Sequence, residues 1–482
     1  MREVKDHYEE EYIYLGDVTH DAVLLAWGKF FFTPKWALVA DKDILTLEDE
    51  HNRHTSIGVN CESYGPVTVE VIDSTGTIVQ SLSTSQTFAW VNGLTPNTEY
   101  TYRVLVPEAG GPPRVWAEGH LWSYPYHDSK EPIKEMKETQ DRYACRFRTF
   151  PEPTAHEDLT FAVIGDMGTG DTMQASVALA LERLIEERDV RLVLMVGDTV
   201  YNRASGGSGA LDSEWLTTFF QPYRTIIDRV PFYPCVGNHD TKEGFFEGVF
   251  LGEKQSDRRT LYDNLLVLPR FKDQLPPGRE ASITPGLFYR LKFGADIEFI
   301  CLDTSKESTF SKRLFEHAHH KDWVQHTLTT PLGAPRWRIP FSHHPPYCKG
   351  PRHDEDETRL RLGVLPLCEK NRIRAFFSGH EHNFQCIDSP TKGSRVRCFI
   401  SGGAGGFREK EPEKHTDGFL HSWGGNDRGH FLIVTISGNE MKVEPIGVKV
   451  GGQGEPLLLW GQPEDVDGNP IHPGPISVRA AT

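Results

Sequence analysis

The sequence predicts an α+β chain, an N-terminal all-β sandwich followed by a larger domain in which strands and helices alternate. Three observations carry this. Up to about residue 150 the apolar residues fall in short, mostly alternating runs separated by turn residues. From Phe161 onward, apolar strand patterns alternate with stretches of helical periodicity, which implies right-handed parallel crossovers. Three successive strands of this second part also end in glycine followed by side chains that bind metals: Phe161–Gly165 into Asp166, Leu192–Gly197 into Asp198, and Phe232–Gly237 into Asn238-His239-Asp240. Ligands are built at the carboxyl ends of parallel strands in open α/β sheets.

In the first part the strands are Ala22–Trp27, Val67–Ile72, Phe88–Val91, Tyr100–Val104 and Tyr143–Phe147. Leu94-Thr95-Pro96-Asn97-Thr98-Glu99-Tyr100 resembles the corner of fibronectin type III modules, in which a Tyr hydroxyl ties back to upstream backbone. Pro107 to about Arg142 is a long insertion into such a module. Glu152–Glu157, polar and Pro-bearing, reads as a linker, giving a sandwich over 1–152, an alternating domain over 153–450 and a Gly/Pro-rich tail over 451–482 that lacks periodicity and reads as coil.

In the second part Gln174–Asp189 places Val177, Leu181, Leu184 and Ile185 at helical spacing, and Asp212–Arg229 does the same with Trp215, Phe219 and Ile226. After an irregular stretch, Gly286–Lys292 and Ile297–Leu302 read as strands and Phe310–Leu328 as a helix. Trp337–Phe341 and Ile373–Phe377 are further strands that again run toward histidines.

A length of 482 residues allows two or three domains, each with a core large enough to need no disulfide scaffold. The formal charge of −16 argues against nucleic acid and anionic membranes as partners, so an anionic substrate must be attracted locally. Met1–Asp6 lacks the apolar core of an export signal and no run reaches the length of a membrane span, so the chain reads as soluble, cytoplasmic or secreted after processing. Cys235 and Cys301 lie in apolar strands and read as buried thiols. Cys386 and Cys398 flank a turn-rich stretch centred near Lys392, and a hairpin centred there sets them opposite each other, within disulfide reach.

The polar residues at strand ends are Asp166, Asp198, Tyr201, Asn238, one of His343 and His344, His380 and His382. Each has an ordinary explanation alone; Asp198 could simply cap the next helix. Together, Gly165-Asp166-Met167-Gly168, Gly197-Asp198-Thr199-Val200-Tyr201, Gly237-Asn238-His239-Asp240, His343-His344-Pro345 and Gly379-His380-Glu381-His382 resemble the five ordered motifs of the metallophosphoesterases. The Tyr in the second motif resembles the purple acid phosphatases in particular, as do the Gly402–Gly406 turn and a fibronectin-like module before the catalytic domain.

The resemblance implies a four-layer αββα sandwich with its site between two sheets. It implies that Asp166, Tyr201 and His382 hold one metal, that Asn238, His343 and His380 hold the other, and that Asp198 bridges them. His343 is preferred because the family's ligand His is usually followed by one residue and then Pro; His344 is the alternative. His239 and His353 resemble the family's outer-sphere histidines, which protonate the leaving alkoxide. Carboxylate, phenolate and imidazole suit ferric iron, whereas amide oxygen, two imidazoles and a shared carboxylate suit a divalent ion such as zinc, iron or manganese. The implied activity is hydrolysis of small phosphomonoesters at acid pH by a metal-bound hydroxide. A phosphodiesterase on the same scaffold, or a non-catalytic phosphate- or metal-binding protein, is the alternative.

Overall fold

A computed structural model describes residues 8–39, 42–48, 66–117, 144–201, 215–240, 288–304, 318–329, 334–349, 357–391, 393–405, 419–423, 428–450, 456–458 and 475–481. His353 and most of the 107–142 insertion lie outside them.

The N-terminal part contains two antiparallel sheets. Strands β1 (Tyr8–Val18), β2 (Ala22–Val39) and β3 (Lys42–Glu48) lie in that order, with β6 (Phe88–Asn92) also pairing with β2. The second sheet runs β5 (Ile78–Thr84), β4 (Val67–Ile72), β7 (Glu99–Val106) and β8 (Arg114–Val115), with β9 (Arg146–Arg148) on β7. Strict alternation aims Val67, Val69 and Val71 of β4 and Tyr100, Tyr102, Val104 and Val106 of β7 inward, into one core with Ile13, Leu15, Val23, Leu25 and Trp27. At the corner before β7, the Thr95 N–H donates to the Tyr100 hydroxyl at 2.9 Å, the tie expected from the sequence.

The larger part has two seven-stranded sheets. In the first, β10 (Leu159–Ile164), β11 (Val190–Met195) and β12 (Phe232–Pro234) are parallel, and β10 pairs antiparallel with β20 (Gly429–Ser437), which continues to β21 (Glu440–Val450). The second sheet begins with β13 (Tyr289–Phe293) and β14 (Ile297–Cys301). It continues through the parallel β15 (Trp337–Ser342), β16 (Ala375–Ser378) and β18 (Arg397–Ser401) to β17 (Phe384–Asp388) and β19 (Phe419–Trp423). The sheets face each other across an aromatic core, with the Phe161 ring edge-on to Phe299 at 5.0 Å and to Phe377 at 6.0 Å.

Along β10, Phe161 and Val163 enter that inter-sheet core while Ala162 and Ile164 meet helices α1 (Thr172–Arg188) and α2 (Gln221–Ile227) on the outer face. The outer face of the second sheet packs Ile300, Phe376 and Ile400 against α3 (Ala318–Leu328), α4 (Glu357–Gly363) and α5 (Leu365–Lys370). Strands buried on both faces read as near-continuous apolar runs, and the layers are the expected αββα.

Three expectations differ from the structure. The segment before α2 is a π-helical turn, Leu216–Phe220, because Pro222 has no N–H for the Thr218 carbonyl. The Gln174 side-chain amide donates to that carbonyl instead. In the C-terminal tail, β22 (Pro456–Leu458) and β23 (Ile476–Arg479) pair with β21 where coil was expected. Cys386 and Cys398 are unlinked and not opposite each other, since Cys386 pairs with Phe399 and Cys398 with Ile387. The turn shifts the register by one residue, which puts the two thiols on opposite faces of the sheet. One lies in the inter-sheet core and the other under the helices.

The sandwich is joined to the larger part by buried polar contacts. The Tyr233 hydroxyl donates to Asp17 Oδ1 at 2.8 Å, the Arg191 guanidinium to the Thr149 carbonyl at 2.8 Å and the Tyr102 hydroxyl to the Asp228 carbonyl at 2.7 Å. The Cys145 N–H donates to Asp228 Oδ2 at 3.1 Å, while Oδ1 is buried with no hydrogen-bond partner among the described residues. Burial pushes the Asp228 carboxyl up to about 6, against the opposing pull of the Cys145 N–H and Arg229.

Two outcomes follow from this packing. Non-reduced protein, denatured and treated with an alkylating reagent, should show both Cys386 and Cys398 modified; a mass corresponding to a linked pair would contradict the register. The folded chain holds the Asp228 proton more tightly than an unfolded one, so this group's stabilising contribution is complete below about pH 4 and is lost as pH rises to about 6. The loss is on the order of 2–3 kcal/mol. Asp228→Asn should therefore melt higher than wild type near pH 8 and alongside it near pH 4 in thermal unfolding. Parallel melting curves at both pH values would contradict the assignment.

Candidate metal centre

Five strand ends converge on one site between the two sheets. Asp166 follows β10, Asp198 and Tyr201 follow β11, Asn238 and His239 follow β12, His343 and His344 follow β15, and His380 and His382 follow β16. Reaching it bends the backbone sharply. Asp166, Asp198 and His380 have φ of 55°, 51° and 73°, a left-handed conformation that costs a non-glycine residue of order 1–3 kcal/mol and collects at functional sites. The Gly that precedes Asp166, Asp198, Asn238 and His380 permits close approach: a Cβ on Gly237 would lie 2.0 Å from Asp198 Oδ1, and one on Gly197, at φ 90°, 2.5 Å from His343 Nδ1.

Each carboxylate spends one oxygen on backbone and turns the other inward. Asp166 Oδ2 accepts from the His380 N–H at 2.8 Å, and its Oδ1 lies 3.2 Å from the Tyr201 hydroxyl and 3.4 Å from His382 Nε2. Asp198 Oδ1 accepts from the His239 N–H at 2.8 Å. Its Oδ2 accepts from the Tyr201 hydroxyl at 2.9 Å and lies 3.3 Å from His343 Nε2. On the far side of that oxygen, His343 Nε2 is 2.9 Å from Asn238 Oδ1 and 3.1 Å from His380 Nδ1. The Tyr201 oxygen is 3.2 Å from His382 Nε2. Two clusters of donors thus form, Asp166/Tyr201/His382 and Asn238/His343/His380, with Asp198 Oδ2 common to both.

Surrounding groups fix these orientations. His343 Nδ1 lies 2.9 Å from the Val196 carbonyl, which takes its proton and directs Nε2 into the site. Asp240, fully buried, accepts from the Thr199 N–H at 2.7 Å, the Val200 N–H at 3.1 Å and the Gly237 N–H at 2.8 Å, clamping the loop after β11 to the loop after β12. That role is absent from the sequence reading, where Asp240 is only the last letter of a motif. Thr304, at the end of β14, accepts from the His344 N–H at 3.2 Å and was likewise not signalled by any pattern.

The His239 ring lies against Tyr201, centroids 4.5 Å apart, at the rim of the site. His353, expected beside it, lies outside the described residues.

The bare chain holds a charge pair at the centre. Burial alone would push the Asp198 carboxyl up, but His343 and His239 hold it well below the usual carboxylate range. Burial depresses His343, and Asp198 outweighs that, raising the imidazole to about 10. The Tyr201 phenol is pushed far up by burial and by the adjacent Asp198 and Asp166. A phenolate here requires positive charge that the protein itself does not supply.

Residues 159–384 match the calcineurin-like phosphoesterase family. Among curated relatives, purple acid phosphatase 4 of Arabidopsis thaliana is 25% identical over 258 residues, 52% of this chain and 69% of that protein. Tartrate-resistant acid phosphatase type 5 of Sus scrofa is 23% identical over 327 residues, 61% of this chain and 84% of that protein. Among solved structures, the purple acid phosphatase PPD1 from yellow lupin (Lupinus luteus) seeds superposes with a TM-score of 0.59 at 14% identity, covering 91% of this chain and 72% of that one. The structure of PhoD gives 0.56 at 13% identity, covering 95% and 93%. Sequence and fold therefore lead to the same relatives as the five assembled motifs: residues 159–384 match the calcineurin-like phosphoesterases, and the chain is similar in sequence and in fold to purple acid phosphatases.

Proposed function

We propose that this chain is an acid phosphatase that hydrolyses phosphomonoesters at a dinuclear metal centre. Asp166, Tyr201 and His382 hold a ferric ion, Asn238, His343 and His380 hold a divalent ion (zinc, iron or manganese), and Asp198 is shared. The observation that carries this reading is the position of Asp198 Oδ2, 2.9 Å from the Tyr201 oxygen and 3.3 Å from His343 Nε2. One oxygen facing two separate donor sets is what a bridging ligand requires.

The donor chemistry fits the two ions. Phenol, carboxylate and imidazole on one side form a hard set for a trivalent ion, and the amide oxygen with two imidazoles forms a set for a divalent one. The His343 imidazole is oriented by the Val196 carbonyl, which leaves Nε2 for an ion. The high proton affinity of Tyr201 in the bare chain accords with a ligand made to face added positive charge. When bound, two such ions supply positive charge to the phosphate oxygens and acidify water, which an acidic protein of net charge −16 cannot do with its own surface.

The chain's own residues do the rest. The strand ends hold the donors in fixed positions, so the ions they would hold need no reorganisation when a phosphate arrives. Asp198 is itself held by the His239 N–H, so the residue that orients the shared carboxylate also carries an imidazole at the rim. As a water oxygen bonds to phosphorus and the ester P–O bond breaks, the His239 imidazole donates a proton to the leaving alkoxide, and the alcohol departs neutral. His353, by its resemblance to the second outer-sphere histidine, shares that work. Small phosphorylated substrates are the partners of this site. Among the described residues no helix is long and apolar enough to cross a membrane.

Two experiments test the division of roles. Asp198→Ala should lose both metals and activity, whereas His239→Ala should keep both metals and lose turnover by about 10²–10⁴-fold on a chromogenic phosphomonoester. Elemental analysis showing equal metal loss in the two variants would contradict it. Tyr201 as a phenolate on ferric iron gives a charge-transfer band, so the purified protein should be coloured and Tyr201→Phe should lose that band. A colourless, iron-free protein with an alkaline optimum would leave the scaffold assignment intact but overturn the ferric reading.

A further inference from the structure

The sequence pairs two histidines, and only His343 is used above. His344 is also buried, 1% exposed, and its ring lies 4.1 Å from that of His380 and 4.9 Å from that of His343. The ligand nitrogens of His343, His344 and His380 all lie within 4.8 Å of one another. Three nitrogens bonded to one ion at about 2.1 Å stand roughly 3–3.6 Å from one another, so a pair at the 4.8 Å limit must draw together by on the order of 1 Å to share a single ion. The Thr304 hydroxyl is 3.4 Å from His344 Nδ1 and 3.2 Å from its backbone nitrogen. A protein oxygen on one ring nitrogen is how metal-binding imidazoles are oriented, the other nitrogen being given to the ion.

We propose that His344 is a further ligand of the divalent ion, which makes that half of the centre a three-imidazole site. This rests on the dinuclear reading and deepens it. Three imidazoles with an amide oxygen and a shared carboxylate form a nitrogen-rich set, which favours zinc over manganese, an ion better served by carboxylate and water oxygens. His344 thereby narrows a choice that the five motifs leave open.

The test uses the full chain, stripped with a chelator and titrated with Co(II), with uptake measured by equilibrium dialysis and visible absorption. Wild type should take up two equivalents. His344→Phe, which keeps the ring volume, and His344→Gln should each bind one equivalent as wild type does and the other about tenfold or more weakly, with its Co(II) absorption bands altered. In competition, wild type should prefer Zn(II) to Mn(II) at the second site more strongly than either variant does. Two equivalents bound with wild-type affinity and spectrum in the variants would show that His344 only packs on His380, leaving the dinuclear centre standing. Equal loss of both equivalents in a variant that melts like wild type would also overturn the proposal. Wild type that binds no Co(II) would overturn the dinuclear reading and the proposal together. Should His344→Phe fail to fold, His344→Gln decides.

Discussion

Asp198 lies where the two sheets meet, and its carboxylate holds together groups brought there by separate strands. The His239 N–H, from the end of β12, holds one oxygen, while the other faces Tyr201 from its own loop and His343 from the second sheet. To bring this carboxylate to the centre the chain accepts left-handed backbone at Asp166, Asp198 and His380 and packs glycines where any Cβ would collide. The buried Asp240 clamp answers the same requirement, since backbone bent this far has N–H groups that no strand partner can satisfy. The layered architecture follows from it as well. Two sheets that must converge at their carboxyl ends are buried between each other and by helices outside.

Much of this was legible in the sequence because the features concerned are local. Strands buried on both faces announce themselves as runs such as Phe161–Ile164 and Leu192–Val196, and a glycine followed by a ligand marks where each ends. The Tyr100 corner was legible for the same reason, its tie spanning only from residue 95 to residue 100. What escaped depends on partners distant in the chain or on register. The clamp by Asp240 and the Thr304 contact to His344 are meetings of separate loops. The Cys386/Cys398 pairing missed by one residue, an error that the period-two geometry of a strand turns into opposite faces. The π-helical turn before α2 could have been anticipated from Pro222, although its rescue by Gln174 could not.

The N-terminal sandwich is more than a passenger on the catalytic layers. Its hydrophobic core is continuous with the inter-sheet core, and Tyr12 and Tyr14 of β1 pack on Phe220, at the start of α2, with centroids 5.1 and 5.8 Å away. Tyr233, at the strand that leads to Asn238 and His239, carries the hydroxyl that binds Asp17. Docking of the sandwich and placement of one loop of the candidate site therefore share a strand. The burial of Asp228 in the same seam, with one carboxylate oxygen that has no hydrogen-bond partner among the described residues, is a local cost that falls away when the group is protonated, so the seam is better suited to acid than to neutral solution.

In the proposed centre one carboxylate oxygen, Asp198 Oδ2, joins two metal ions. Anomalous diffraction from crystals of the full chain, purified without added metal and measured on both sides of the iron edge, tests it most directly. Two peaks about 3.5–4 Å apart are expected. Asp198 should lie between them, and only the peak beside Asp166, Tyr201 and His382 must respond at the iron edge. A single peak, or two peaks that do not share Asp198, would contradict it.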